Sequence, residues 1–228
     1  MFQYKKIKLL NSLKVKRKLP INYKKKDEKY FLRELEKLYP EVNYLKIKKL
    51  SISGDGIPIS SDLFLLKHYL GFSSLSGFVS LKKIFLITKH TLKIFFKILS
   101  RHKEKYIKNT IFVHDRNSTG YFHWVNDILP KIILSEKFKD FKIIIPSNMN
   151  FYFHKKFLKF YEKKILILNK DYNYKISNLI FIPELSPSGN PRPKNLLEVK
   201  NKFNFLKMKS KKKYQKIYIS RNFAKRRF

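Results

Sequence analysis

The segment 119–130 (TGYFHWVNDILP) carries the residue types best suited to acid–base chemistry. If Tyr121 begins a helix, His123 and Asp127 are four residues apart and share one helix face. A carboxylate at that spacing can hold an imidazole in one tautomer, and the pair could then remove the proton from a hydroxyl group. A structural interpretation is also open, in which Trp124 packs inward, His123 caps a carbonyl and Asp127 is solvated.

A second cluster consists of arginines near the end of the chain. Lys and Arg together number 52, and three of the few arginines, Arg221, Arg226 and Arg227, follow a strand predicted over 216–220. Planar guanidinium groups bind phosphate bidentately, and beyond a strand end they can neutralise a diphosphate leaving group without a metal. The alternative is a basic tail on a solvated surface.

Several signatures of other enzyme classes are missing from the sequence. The six glycines form neither a G-x-G-x-x-G pattern nor a P-loop, which argues against dehydrogenases, kinases and NTPases. No aspartate pair has the D-x-D spacing that holds a metal on a nucleotide-sugar, and the six histidines lack zinc-ligand spacing. The absence of cysteine excludes a disulfide framework and a thiol nucleophile. We therefore expect neither a metal nor a cofactor.

From Lys105 onward, short apolar runs alternate with helical patterns. The predicted strands are 106–114, 141–145, 165–168 and 179–182, and the predicted helices are 121–137, 151–162 and 194–208. This alternation is typical of an α/β fold with a Rossmann-like parallel sheet and helices on both faces. Ligand sites in such sheets lie beyond the carboxyl ends of the strands, where His123 falls.

Residues 1–104 are predicted to be a mixed α+β segment that packs on the sheet domain. We expect a helix over 27–38, a hairpin over 43–59 with its turn at Gly54 to Gly56, and a short helix over 61–70. Over 81–99, apolar residues fall on one helix side and lysines on the other. A basic amphipathic helix of this kind can lie on an anionic membrane or pack against its own domain.

The composition is that of a folded, strongly basic protein. The 228 residues are 43% hydrophobic, and 52 Lys and Arg against 16 Asp and Glu give a formal charge of +36. Such a charge favours phosphates or anionic surfaces, so a nucleic-acid-binding protein and a peripheral membrane-binding protein stay as alternatives. No nucleic-acid-binding motif is present, and no specific nucleic acid is expected. The sequence shows neither a signal peptide nor a transmembrane span, which favours a cytoplasmic location, with membrane contact at the inner face through 81–99 as the alternative.

The two clusters, in this order and about a hundred residues apart, resemble the catalytic region of glycosyltransferase family 61. Members carry a Tyr-Phe-His-Trp segment followed by Asp and Leu-Pro, and the matching positions are Tyr121 to Trp124, Asp127, Leu129 and Pro130. They also carry a Tyr-Ile-Ser-Arg strand with Ala and Arg downstream, and the matching positions are Tyr218 to Arg221, Ala224 and Arg227. The resemblance covers roughly residues 105–228.

The resemblance implies metal-independent, inverting transfer of a sugar from a nucleotide-sugar donor to a saccharide or glycolipid acceptor, as in capsule and surface-polysaccharide biosynthesis. On that basis His123 is the general base, helped by Asp127. Three residues bind the donor diphosphate: Arg221, Arg226 and Arg227. Two aromatic residues are acceptor-side or structural: Tyr121 and Trp124.

The resemblance also implies a two-domain GT-B architecture. Residues 105–210 would form the Rossmann-like acceptor-side domain, and residues 211–228 would form the first strand and loop of the donor-binding domain. Family members continue with an Asn-Glu pair, most of a second domain and a His-Gly-Ala stretch near the donor. On the resemblance, we therefore expect this chain to be a fragment that is inactive alone.

Overall fold

The computed structural model of the chain describes residues 4–19, 25–32, 35–59, 65, 68–70, 88–89, 91–92, 96, 103–186 and 190–203. The strand predicted over 216–220 lies outside these residues. Five residues of the helix predicted over 81–99 are described and are helical, namely Thr88, Lys89, Thr91, Leu92 and Phe96.

The strands in this part of the chain are β1 (Tyr4–Leu10), β2 (Leu13–Lys16), β3 (Glu36–Tyr39), β4 (Val42–Ser53), β5 (Pro58–Ile59), β6 (Lys103–Phe112), β7 (Lys142–Ile145), β8 (Ile165–Ile167) and β9 (Tyr172–Phe181). The α-helices are α1 (Glu28–Leu32), α2 (Tyr121–His123), α3 (Leu129–Leu134), α4 (Tyr152–Leu158) and α5 (Pro193–Lys202). A π-helical segment (Trp124–Ile128) joins α2 to α3, and 3-10 turns cover Lys25–Asp27, Ser135–Lys137 and Lys159–Lys164.

Seven strands form one sheet in the order β1-β4-β9-β6-β7-β8, with β5 paired to β4. Four neighbouring strands are parallel to one another, namely β9, β6, β7 and β8. Strand β4 pairs antiparallel with β1, β5 and β9. The strands β2 and β3 form a separate antiparallel pair. The predicted α/β fold is confirmed, and the sheet is mixed rather than wholly parallel because β4 extends it by pairing with β9.

The carboxyl-terminal ends of β6, β7 and β9 are buried on both faces, as expected of strands covered by helices. In β6 and just beyond it, Ile111 and Val113 belong to one core cluster and Phe112 to the other, which is the two-residue alternation of a strand. The first cluster includes apolar residues of the π-helical segment and of α3, α4 and α5. The second includes Leu65 and Tyr69, which are helical. Helical residues therefore contact both faces of the sheet.

The helix predicted over 27–38 is wrong in its second half. Helix α1 is shorter, and β3 pairs with β2 instead. Tyr39 at the end of β3 is fully buried, and its hydroxyl donates a hydrogen bond to the carbonyl of Pro191 at 3.2 Å. A tertiary contact of this kind overrides a weak helical spacing.

The hairpin predicted over 43–59 is confirmed, and its turn packs on the carboxyl end of β6. Gly56 has a φ of +76°, and its carbonyl accepts a hydrogen bond from Nε2 of His114 at 2.9 Å. The N–H of Gly54 donates to the carbonyl of Tyr172 at 2.9 Å. The turn therefore joins the N-terminal strands to the region where β6 ends.

Acid should lower the free energy of unfolding by protonating His114, which binds the carbonyl of Gly56 in this turn. Burial lowers the pKa of His114 from 6.5 to about 4. Because its folded-state pKa is depressed, the stability contributed by neutral His114 is present above pH 6.5 and is lost as the pH falls through 4. We expect this group to account for about 3 kcal/mol of acid destabilisation.

Urea unfolding of the wild type and of His114→Gln, at pH 7 and at pH 4, measures this effect. The variant should be less stable at pH 7, and the difference in unfolding free energy should shrink by about 3 kcal/mol at pH 4. An equal difference at the two pH values would contradict the assignment.

Candidate active site

The carboxyl ends of β6 and β9 lie side by side where the strand order reverses. From β6 the chain continues to β7 and β8 on one side, and it returns as β9 on the other. In open α/β sheets, ligands bind in the crevice at such a switch point. A cleft is found there, and its polar lining includes Asp115, Asn117, His123, Asn126, Asp127 and Glu184.

The cleft has a volume of about 20 Å³, enough for a single water molecule. A ligand larger than water would therefore lie across the cleft rather than inside it. A larger hollow of about 610 Å³ lies over β4, β6 and β9, but the described residues that line it include lysines and Tyr106 and no His, Asp or Glu. Because that hollow lacks an acid–base pair, the smaller cleft is the candidate active site.

The helix predicted over 121–137 is confirmed, and it widens at its centre. In the π-helical segment, the N–H of Leu129 donates to the carbonyl of Trp124, five residues earlier. Pro130 explains the widening, because proline has no N–H and its ring clashes with the carbonyl four residues before it in an α-helix. Single π-helical turns of this kind are frequent at functional sites.

His123 and Asp127, which the sequence predicts as a pair, are in contact. Nδ1 of His123 donates to Oδ2 of Asp127 at 2.7 Å. The His123 side chain is 29% exposed and that of Asp127 is 12% exposed, so the imidazole can meet a ligand while the carboxylate is shielded. With Nδ1 protonated, neutral His123 has its lone pair on Nε2. No hydrogen bond to Nε2 is found among the described residues.

Two opposing effects act on the carboxyl group of Asp127. Burial raises the pKa of Asp127 above its usual value, while the hydrogen bond from His123 and the positive charge of Lys131 act in the opposite direction. Perturbed carboxyl groups beside a histidine are characteristic of sites that transfer protons.

Asp115 lies behind this pair, in the loop that follows β6. Its carboxylate accepts hydrogen bonds from the hydroxyl of Ser118 at 3.0 Å and from the N–H of Asn117 at 2.8 Å. The ammonium of Lys131 is 3.9 Å from the other carboxylate oxygen. The loop therefore holds a second, buried carboxylate close to the cleft.

The two aromatic residues predicted beside the pair have different environments. Trp124 is fully buried, and its ring packs edge-on against His154 with 4.6 Å between centroids. Tyr121 is 60% exposed and contacts Phe153 edge-on at 5.2 Å. Trp124 is thus shielded from solvent, whereas Tyr121 is exposed.

Three charged residues of this region, Asp115, Lys131 and Glu184, were not predicted from the sequence. Lys131 follows Asp127 by four residues, and that helical spacing was a signal that could have revealed it. Asp115 and Glu184 follow different strands, and the sequence does not show that β6 and β9 are neighbours.

The three arginines predicted to bind a diphosphate, Arg221, Arg226 and Arg227, lie outside the described residues. Within the described ranges, no group of three or more His, Asp or Glu side chains could hold a metal ion. No helix in the part of the chain that the structure describes is long and apolar enough to cross a bilayer.

Comparisons with known proteins identify no relative of this chain. No family model, no curated protein and no solved structure matches the chain.

Proposed function

We propose that the chain carries the acceptor-side catalytic region of a glycosyltransferase that moves a sugar from a nucleotide-sugar to a hydroxyl acceptor. The observation that carries the proposal is the 2.7 Å hydrogen bond between His123 and Asp127 at the switch-point cleft. The resemblance of the two sequence motifs to family 61 supports the same activity.

His123 acts as the general base through Nε2. It takes the proton of the acceptor hydroxyl while the acceptor oxygen forms a bond to the anomeric carbon of the donor. At the same time, the bond between that carbon and the diphosphate oxygen breaks. Attack on the side opposite the diphosphate inverts the anomeric centre. Asp127 accepts the hydrogen bond from Nδ1 and stabilises the imidazolium that forms.

The departing diphosphate gains negative charge that has to be neutralised. In this proposal Arg221, Arg226 and Arg227 do so, because guanidinium groups bind phosphate oxygens bidentately. Tyr121, which is exposed and lies two residues before His123, contacts the acceptor.

Sugar transfer should proceed equally well with and without EDTA, because the proposal assigns charge neutralisation to arginines. UDP- and GDP-sugars are tested with saccharide acceptors, using the 228-residue chain alone and fused to the donor domain of a family 61 enzyme. The form that transfers sugar is then assayed with the chelator. Loss of transfer in EDTA, restored by Mn²⁺, would overturn the metal-free mechanism.

Two binding assays distinguish the alternatives. Absence of transfer in both forms, together with salt-sensitive binding to random oligonucleotides, would favour a nucleic-acid-binding protein. Absence of sugar transfer in both forms, together with binding to anionic vesicles, would favour a peripheral membrane protein.

A further inference from the structure

Lys131 is an unusual buried group near the candidate active site. Its side chain is only 2% exposed, although lysine is almost never fully buried unless it is paired. It lies on α3, four residues after Asp127, and its ammonium is 3.9 Å from the carboxylate of Asp115. Surface lysines are abundant in this chain, so the burial of this one requires a reason.

Lys131 does not itself line the cleft, but its ion-pair partner Asp115 does, together with charged and titratable groups from other elements. The loop after β6 contributes Asp115, the π-helical segment and the end of α2 contribute Asp127 and His123, and the loop after β9 contributes Glu184 to the same cleft. Burial raises the pKa of Asp127 above its usual value, and the negative charge of Asp115 acts in the same direction, whereas the positive charge of Lys131 opposes the rise. Lys131 is therefore electrostatically coupled to the carboxyl group that binds His123.

We propose that Lys131 is a positioning residue whose buried ammonium keeps Asp127 ionised and thereby holds His123 in the tautomer that can act as a base. The inference deepens the proposed function and rests on the role assigned there to His123.

The protonation state of Asp127 decides which nitrogen of His123 carries the proton. An ionised carboxylate can only accept a hydrogen bond, so Nδ1 must carry the hydrogen and Nε2 keeps its lone pair. A protonated carboxyl group can donate to Nδ1, and the neutral ring then carries its proton on Nε2. In that state Nε2 cannot take a proton from an acceptor hydroxyl. Removing the ammonium of Lys131 shifts the balance toward the second state.

The test is nitrogen NMR of the histidine rings in the full chain at slightly alkaline pH. In the wild type, His123 should carry its proton on Nδ1. In Lys131→Met, which keeps the length of the side chain and removes the charge, the share of His123 that carries its proton on Nε2 should rise. Lys131→Arg should retain the wild-type tautomer, as should Lys139→Met, which removes an exposed charge. A wild-type ratio in folded Lys131→Met would overturn the proposal.

A second measurement on the wild type does not depend on the folding of a variant. NMR signals of lysine Nζ and of aspartate carboxyl carbons are followed as the pH is lowered. The Nζ signal of Lys131 should move together with the carboxyl signal of Asp127. A constant Nζ signal throughout the titration of Asp127 would overturn the coupling.

These readouts separate the two proposals. A wild-type tautomer in Lys131→Met, in a protein that transfers sugar, would overturn the role of Lys131 alone. A higher share of the Nε2-protonated tautomer in Lys131→Met, in a protein that transfers no sugar either alone or fused to the donor domain, would support the role of Lys131 and contradict the glycosyltransferase.

Discussion

Replacing His123 with alanine, in the form of the protein that transfers sugar, is expected to lower the kcat by ~10²-fold or more, the usual effect of losing a general base. Without Nε2, the acceptor hydroxyl keeps its proton while its oxygen attacks the anomeric carbon. Asp127→Asn should lower kcat less, because an amide can accept from Nδ1 or donate to it and so no longer fixes one tautomer. The KM for the nucleotide-sugar should change little in either variant, because the proposed base contacts the acceptor.

Initial rates over a range of donor concentrations measure both constants. Glu162→Gln is the matched control for the loss of a carboxylate, because Glu162 is exposed and does not line the cleft. Circular dichroism checks that each variant is folded. Near-normal kcat in folded His123→Ala would remove this histidine from catalysis.

The region from β6 to α5 could be predicted well because its signals are local. Apolar runs too short for a helix mark β7 and β8, and residues spaced by three or four positions mark the helices between them. The same helical spacing predicted the contact between His123 and Asp127, since residues four apart share a face wherever the helix packs. These predictions needed no knowledge of distant contacts.

The mixed sheet could not be predicted in this way. The hairpin of β4 and β5 has a clear turn signal, but nothing in its sequence shows that β4 pairs with β9. The predicted strand 179–182 was also too short, because the first half of β9 alternates buried Tyr174 and Ile176 with the more exposed Lys175 and Ser177. That pattern marks a strand with one buried face rather than two.

The surroundings of the candidate site depended on tertiary structure for the same reason. In a chain with a formal charge of +36, lysine occupies so many positions that its presence gives no sign of burial. Lys131 is buried because α3 packs on the sheet near the carboxyl end of β6, and Asp115 lies in the loop that follows this strand. Pro130, in contrast, was a local signal: a proline inside a helical pattern predicts a distorted turn.

The second large effect is expected from Gly56→Ala, which should lower the free energy of unfolding by about 3 kcal/mol or more. Gly56 has a φ of +76°, a left-handed conformation that costs an alanine roughly 1–2 kcal/mol. An added Cβ would also lie 2.3 Å from Nε2 of His114 and 2.4 Å from Cγ of Pro146, so both rings would have to move. The hydrogen bond from His114 to the Gly56 carbonyl would be strained as a result.

Urea unfolding midpoints measure this loss, and Gly120→Ala is the control. Gly120 has a φ of −79°, and its added Cβ would lie 3.5 Å from the carbonyl oxygen of Asn117, which is ordinary contact. The control should therefore lose less than about 1 kcal/mol, the scale of an unfavourable helix N-cap. Equal stability of the two variants would show that the turn moves away from His114 at little cost. The larger loss in Gly56→Ala would show that the turn is fixed against the carboxyl end of β6, from which the loop to the candidate catalytic helix begins.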